Sequence, residues 1–222
     1  MMTEHDFAMA RYTMVEQHLK ANGITDPLVI GAFADLPRHQ FVPRRHRQVA
    51  YHAQDVPIGY LQTMLSPVLI AQALQALRLG KMDRILEVGT GSGYLTSILM
   101  MLGFYVYSLE RIAPLAEMAS QRWQQLGLEN VDLHIGDGSQ GLADMASFDA
   151  IIVTAYASKI PKPLALQLHP LRGRMIIPIG TAHQQKLKLI RREADRWHSR
   201  TLATIHIPAM IGRYGAIPSA SV

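Results

Sequence analysis

Apolar runs rich in β-branched residues recur along the second part of the chain: RILEV (84–88), YVYSLE (105–110), VDLHI (131–135), DAIIVT (149–154), RMIIPIG (174–180), KLKLI (186–190) and TLATIHIP (201–208). Short runs of this kind, bounded by Gly, Pro or Asp, predict buried strands. Helical patterns lie between the first five. Residues 112–127 repeat Ile112, Leu115, Ala116, Ala119, Trp123 and Leu126 at spacings of three and four, and Gly127 follows as a stop. Ser92 to Leu102 is a second candidate helix. Strands alternating with helices predict right-handed crossovers and a parallel sheet. The last two runs are joined by READRWHSR, which has little helical periodicity, and predict an antiparallel hairpin at the sheet end.

Before residue 80 the pattern is helical. Arg11–Ala21 and Pro27–Ala34 are expected as helices, the second with Asp26 as cap and Pro27 in its first turn. Residues 35–65 are rich in Pro, His and Arg and lack a clear period. Ser66 then reads as the cap of a helix that runs from Pro67 to Leu77. No repeat or linker divides the chain. The expectation is one α/β domain over residues 1–222: a helical substrate-side segment (1–80), then a Rossmann-like, mostly parallel seven-stranded sheet (81–222).

Composition narrows the function. Of 222 residues, 49% are hydrophobic and 18% charged, which suits a globular core. With no cysteine, thiolate nucleophiles, disulfides and zinc–thiolate sites are excluded. The ten histidines show neither H-x-x-x-H nor H-E-x-x-H spacing, so no metal site is expected. The opening residues have no apolar core of signal-peptide type, and no apolar run is long enough for a bilayer span, so a cytoplasmic protein with no membrane partner is expected. The net charge of +5 gathers at Arg44, Arg45 and Arg47 and at Lys186, Lys188, Arg191 and Arg192. No aromatic residues interleave with these cations, so the charge reads as a solvated face and not as a nucleic-acid site.

The candidate chemistry sits at Glu87-Val-Gly89-Thr90-Gly91-Ser-Gly93, after a strand and at the start of a helix. Glycines there allow a sharp turn and a close ligand. The spacing G-x-G-x-G departs from the dinucleotide fingerprint, and no Walker lysine follows. Glu110 ends the next strand, where a carboxylate can accept both ribose hydroxyl protons. Asp137, in Gly136-Asp137-Gly138, is placed to accept from an adenine amino group. Glu87 adds negative charge where an amino-bearing ligand would sit. Three acids around a glycine bend suit a cation better than a pyrophosphate, and S-adenosylmethionine carries a sulfonium, an ammonium, a ribose and an adenine.

Beyond this bend, the segments RYTMVEQHL, GITDPLVIGAFADLPRHQFVP, VPIGYLQT, ILEVGTGSGY, LGLENV, GDG, FDAIIVTA and HIPAMIG resemble the protein-L-isoaspartate (D-aspartate) O-methyltransferases over nearly the whole chain. The resemblance implies methylation of isoaspartyl carboxylates in damaged proteins, after which the ester cyclises to a succinimide that can reopen to aspartate. It implies S-adenosylmethionine as cofactor, with Glu87, Gly89, Gly91, Gly93, Glu110, Asp137 and Gly138 as contacts and Thr90 inside the same bend.

The match breaks in the substrate loop. The family reads G-Q-T-I-S-Q-P where this chain reads Leu61-Gln62-Thr63-Met64-Leu65-Ser66-Pro67. Its active-site serine falls on Leu65, its glycine on Leu61, and an acid expected after Tyr51 falls on Ala53. Thr63 and Ser66 are the surviving hydroxyls and the candidate catalytic residues, although Pro67 marks Ser66 as a helix cap. A carboxylate is already ionised at neutral pH, so its methylation needs no general base and rests on orientation. Two other readings stay open: a related methyltransferase with another carboxylate or less polar substrate, and a cofactor-binding protein with little turnover.

Overall fold

The apolar runs assemble into one sheet because their side chains find apolar cover on both faces. A computed structural model describes residues 2–216. Seven strands lie in the order β5-β4-β3-β6-β7-β8-β9. They are β3 (Ile85–Val88), β4 (Val106–Glu110), β5 (Val131–Ile135), β6 (Ala150–Val153), β7 (Arg174–Gly180), β8 (Gln185–Glu193) and β9 (Arg196–Ile205). β5 to β7 pair in parallel across the sheet, while β8 and β9 close it antiparallel. β3 and β6 are buried at every position, as central parallel strands require. The alternation of side chains splits the core into two layers. Ile85 and Ile152 pack with the N-terminal helices, whereas Leu86, Val88 and Ile151 pack with Leu164 and Leu168.

The helices are α1 (Glu4–Thr13), α2 (Pro27–Asp35), α3 (Pro67–Leu77), α4 (Tyr94–Met101), α5 (Ala113–Leu126) and α6 (Lys162–Gln167). α2 begins as expected, with Asp26 accepting from Leu28 N and Val29 N. α5 ends on Gly127 in the left-handed conformation at φ 66°. Several boundaries depart from expectation. The first helix starts earlier, at Glu4, because Thr3 and Asp6 form a capping box, and it runs on through a π-turn (Met14–Leu19). The aperiodic stretch 35–65 contains two 3₁₀ turns and a hairpin, β1 (Val56–Gly59) with β2 (Gln62–Met64). No α-helix joins β5 to β6; two short 3₁₀ turns do. Much of READRWHSR is strand, since β8 continues to Glu193 and β9 starts at Arg196. Among the described residues no helix is long and apolar enough to cross a membrane.

β3 lies between β4 and β6, so the strand order reverses beside it. A crevice opens outside the carboxyl ends of such strands, and that is where ligands bind in open parallel sheets.

Candidate active site

The glycine bend follows β3 directly and is anchored on both sides. Gly89 N donates to Leu109 O at 2.8 Å, and Thr154 Oγ1 donates to Gly89 O at 2.8 Å. Gly89 has φ +94°, and a Cβ there would collide with Thr154 Oγ1. Gly93 has φ +82°, and its Cβ would sit 2.8 Å from Trp123 Nε1 and 2.9 Å from the Ala119 side chain. That contact brings α5 close against the start of α4, and Trp123 Nε1 donates to Gly93 O at 3.1 Å. Gly89 to Ser92 of the bend line a cavity together with Glu87, Glu110, Gly138, Thr154 and the β2 loop; Gly93, expected as a cofactor contact, does not line it and packs against α5 instead.

Glu110 is nearly buried. One of its oxygens accepts from Gly91 N and the other from Ile112 N, both at 2.8 Å. A carboxylate has about four acceptor sites, so two remain for a ligand's hydroxyls. Glu87 is fully buried. Its Oε2 accepts from Thr96 Oγ1 at 2.5 Å and Ser108 Oγ at 2.7 Å, while Oε1 has no partner. Burial pushes its pKa up to about 7; the two hydroxyls act against the rise and Glu110 adds to it. The Thr90 hydroxyl turns inward to Ser108 Oγ at 2.6 Å, so what Thr90 offers the cavity is chiefly backbone.

Asp137 is employed differently from the sequence expectation. Oδ1 accepts from Ser139 N (2.9 Å) and Ser139 Oγ (2.7 Å), and Oδ2 from Gln140 Nε2 (3.0 Å) and Arg213 N (2.8 Å). Burial works against its charge, yet these bonds outweigh it and hold the carboxyl below the usual range. With its acceptor sites filled, Asp137 fastens the returning segment near Arg213, and its neighbour Gly138 lines the cavity. Residues Pro208–Ile211 of that segment line the cavity too, tied by Tyr156 N to Pro208 O at 3.0 Å and Met210 N to Tyr156 O at 2.8 Å.

The two candidate hydroxyls separate clearly. Thr63 lines the cavity, and its Oγ1 is buried with no partner. Ser66 Oγ accepts from Leu69 N at 3.2 Å as the cap of α3, and Ser66 does not line the cavity. Leu65 does line it. Its carbonyl accepts from Arg38 Nη2 at 2.5 Å, and Arg38 Nε donates to Ala50 O at 2.7 Å. Arg38 is completely buried, with its guanidinium 4.6 Å from the centre of the Tyr94 ring. Ala53 is exposed, but Asp55, two residues later, accepts from Ser66 N at 2.6 Å. Sequence reasoning missed Arg38, Asp55 and Thr154. The signal for Arg38 was a single arginine within an otherwise apolar-rich stretch, FADLPRHQFVP.

A methyl donor fits this cavity on three grounds: a wall of bend backbone at Gly89 and Gly91, two open acceptor sites on Glu110, and the free buried Oε1 of Glu87. Sheet order, glycine bend and acids together define a Rossmann-like methyltransferase. A solved protein-L-isoaspartate O-methyltransferase superposes with a TM-score of 0.82 at 25% identity, covering 92% of this chain and 67% of that one. A Plasmodium falciparum protein, titled a putative protein-L-isoaspartate O-methyltransferase in complex with S-adenosyl-L-homocysteine, gives 0.76 at 25% identity, covering 90% and 97%. Among curated relatives, the Roseiflexus sp. (strain RS-1) protein-L-isoaspartate O-methyltransferase is 42% identical over 93% of this chain and 94% of its own length. That of Opitutus terrae is 43% identical over 88% and 84%. The family model for protein-L-isoaspartate(D-aspartate) O-methyltransferase matches residues 10–213, and the chain belongs to that family.

Proposed function

We propose that this protein methylates isoaspartyl (D-aspartyl) carboxylates of damaged polypeptides, with Thr63 as the residue that meets the substrate. S-adenosylmethionine supplies an electrophilic methyl group on its sulfonium. Glu110 would hold the ribose hydroxyls, Glu87 the cationic amino acid end, and the backbone at Gly89, Thr90, Gly91 and Gly138 would form the walls, while Gly93 acts at one remove by seating α5 against the start of α4. Asp137 would act through Gly138 by fixing the loop. The Thr63 hydroxyl would donate to one oxygen of the substrate carboxylate and leave the other free to attack. No proton need be removed, because the nucleophile's ordinary pKa is about 4. What the chain supplies is orientation and exclusion of water. Ser66 acts at one remove, by starting α3 and fixing where the loop ends.

The observation that carries this reading is the unpartnered, buried Thr63 Oγ1 on the same cavity as the glycine bend. Residues 1–222 would act as one methyltransferase domain, in the cytoplasm; a chain without cysteine needs no oxidising compartment. The test is incubation with methyl-labelled S-adenosylmethionine and an isoaspartyl peptide beside its normal aspartyl twin. Label on the isoaspartyl peptide alone is expected. Equal labelling of both, or none, refutes the reading.

A further inference from the structure

The turn between β1 and β2 carries residues that its geometry disfavours. Gly59 pairs with Gln62, so Tyr60 and Leu61 form a two-residue turn. Both have positive φ, 52° and 57°. Turns with both central residues left-handed ordinarily take Asn-Gly, Asp-Gly or Gly-Gly, because an L side chain is crowded there. Leu61 is also 95% exposed and Tyr60 54% exposed. Folding therefore gains nothing visible from leucine at this position: the backbone disfavours it and no neighbour covers it.

Its place suggests what it serves. Gln62 and Thr63, the next residues of the ribbon, line the cavity. Ile211, 55% exposed, lines it from the returning C-terminal segment. An extended polypeptide advances about 3.3 Å per residue, the same as the ribbon itself. The two positions from Thr63 back to Leu61 therefore span about 6.6 Å, the reach from a carboxylate held at Thr63 to the side chain of the neighbouring substrate residue. We propose that Leu61, with Tyr60 and Ile211, forms an apolar subsite for a bulky apolar side chain next to the methylated residue. Leu61 is then the residue that determines which damaged sites are preferred. This inference rests on the isoaspartyl reading above.

Three isoaspartyl hexapeptides test it, one with glycine on both sides of the isoaspartate and the others with leucine before or after it. The wild-type protein should show kcat/KM about tenfold higher for one leucine peptide than for the glycine peptide, the effect of covering much of one leucine side chain. In Leu61→Gly that preference should fall to within about twofold. The variant's thermal midpoint should be no lower than wild type, since glycine accepts the turn. A preference that survives Leu61→Gly, or an equal loss on all three peptides, overturns the subsite. Absence of methylation of every isoaspartyl peptide by the wild type instead sinks the functional reading, and the subsite with it.

Discussion

Replacing Glu87 with glutamine should separate folding from cofactor binding. Thr96 and Ser108 can donate to an amide oxygen as they do to Oε2. The charge is what changes. Burial raises this carboxyl from 4.5 to about 7 in the folded chain. That rise of about 2.5 units corresponds to about 3 kcal/mol, at 1.36 kcal/mol per unit. Because the folded value lies above the unfolded one, protonation favours folding. The contribution is whole below the unfolded pKa, is lost as pH rises towards 7, and is level above. Glutamine does not titrate. The variant should therefore melt close to wild type at pH 5 and above it at pH 8, by up to about 6–12 °C at 2–4 °C per kcal/mol for a chain of this size. An unpaired amide N–H where Oε1 stood subtracts the same amount at both values, so the change in the gap is the diagnostic quantity. Binding should move the other way. A cationic ligand favours ionised Glu87, so wild-type affinity for S-adenosylmethionine should rise with pH up to about 7 and release protons below it. Glu87→Gln should bind about 10- to 150-fold more weakly, the loss expected for a hydrogen bond to a charged group. Thermal melts without ligand and calorimetric titrations at pH 5 and pH 8 measure both. A variant-to-wild-type gap equal at the two pH values, or an unchanged affinity, refutes the assignment of Glu87 as the buried, cofactor-facing charge.

Thr63→Val should lower kcat on an isoaspartyl peptide about 10- to 150-fold with cofactor affinity unchanged, and Thr63→Ser should recover most of it; an unaffected valine variant removes Thr63 from the reaction. Leu65→Ser places a hydroxyl on the cavity wall and should raise isoaspartyl turnover, and no change in steady-state rate counts against the placement of the loop. Gly93→Ala adds a methyl against Trp123 and Ala119 at a left-handed residue and should cost about 2–5 kcal/mol by denaturant unfolding; a cost below about 1 kcal/mol contradicts that packing.

The central strands were legible because both of their faces are buried, which leaves an unbroken apolar signature such as RILEV or DAIIVT. The cap at Ser66 and the stop at Gly127 were legible because their physics is local: a side chain reaching its own helix, a left-handed residue that wants no Cβ. The hairpin at 56–64 was not. Its turn, Tyr60-Leu61, contradicts turn propensity, and it holds only three paired positions. The outer half of β9 was missed because an exposed edge strand alternates nothing against a core; Arg196 to Thr201 are all exposed. At the site, the glycines and acids could be read from spacing, but the use made of each acid could not. Glu110 and Asp137 look alike in sequence, each an acid after a strand. They part because Arg213, 76 residues on, brings its N–H to Asp137 and fills it.

The break from the family pattern at Leu65 is compatible with catalysis because the loop is held by its backbone. Arg38 grips the Leu65 carbonyl from within the core, and Asp55 grips the next amide, at Ser66. Neither bond involves the side chain at position 65. Position 53 carries no acid, but Asp55 serves the loop by accepting from Ser66 N; position 65 carries no hydroxyl, and that of Ser66 is taken up in capping α3. Truncating a completely buried guanidinium would leave the Leu65 carbonyl without its donor, whereas changing the Leu65 side chain leaves the grip intact. A nucleophile that arrives ionised asks only to be held in line with the methyl group. Where chemistry needs placement and no proton transfer, a loop that its backbone already positions keeps its place when the side chain at 65 changes, and the burden falls on Arg38, Asp55 and the Thr63 hydroxyl.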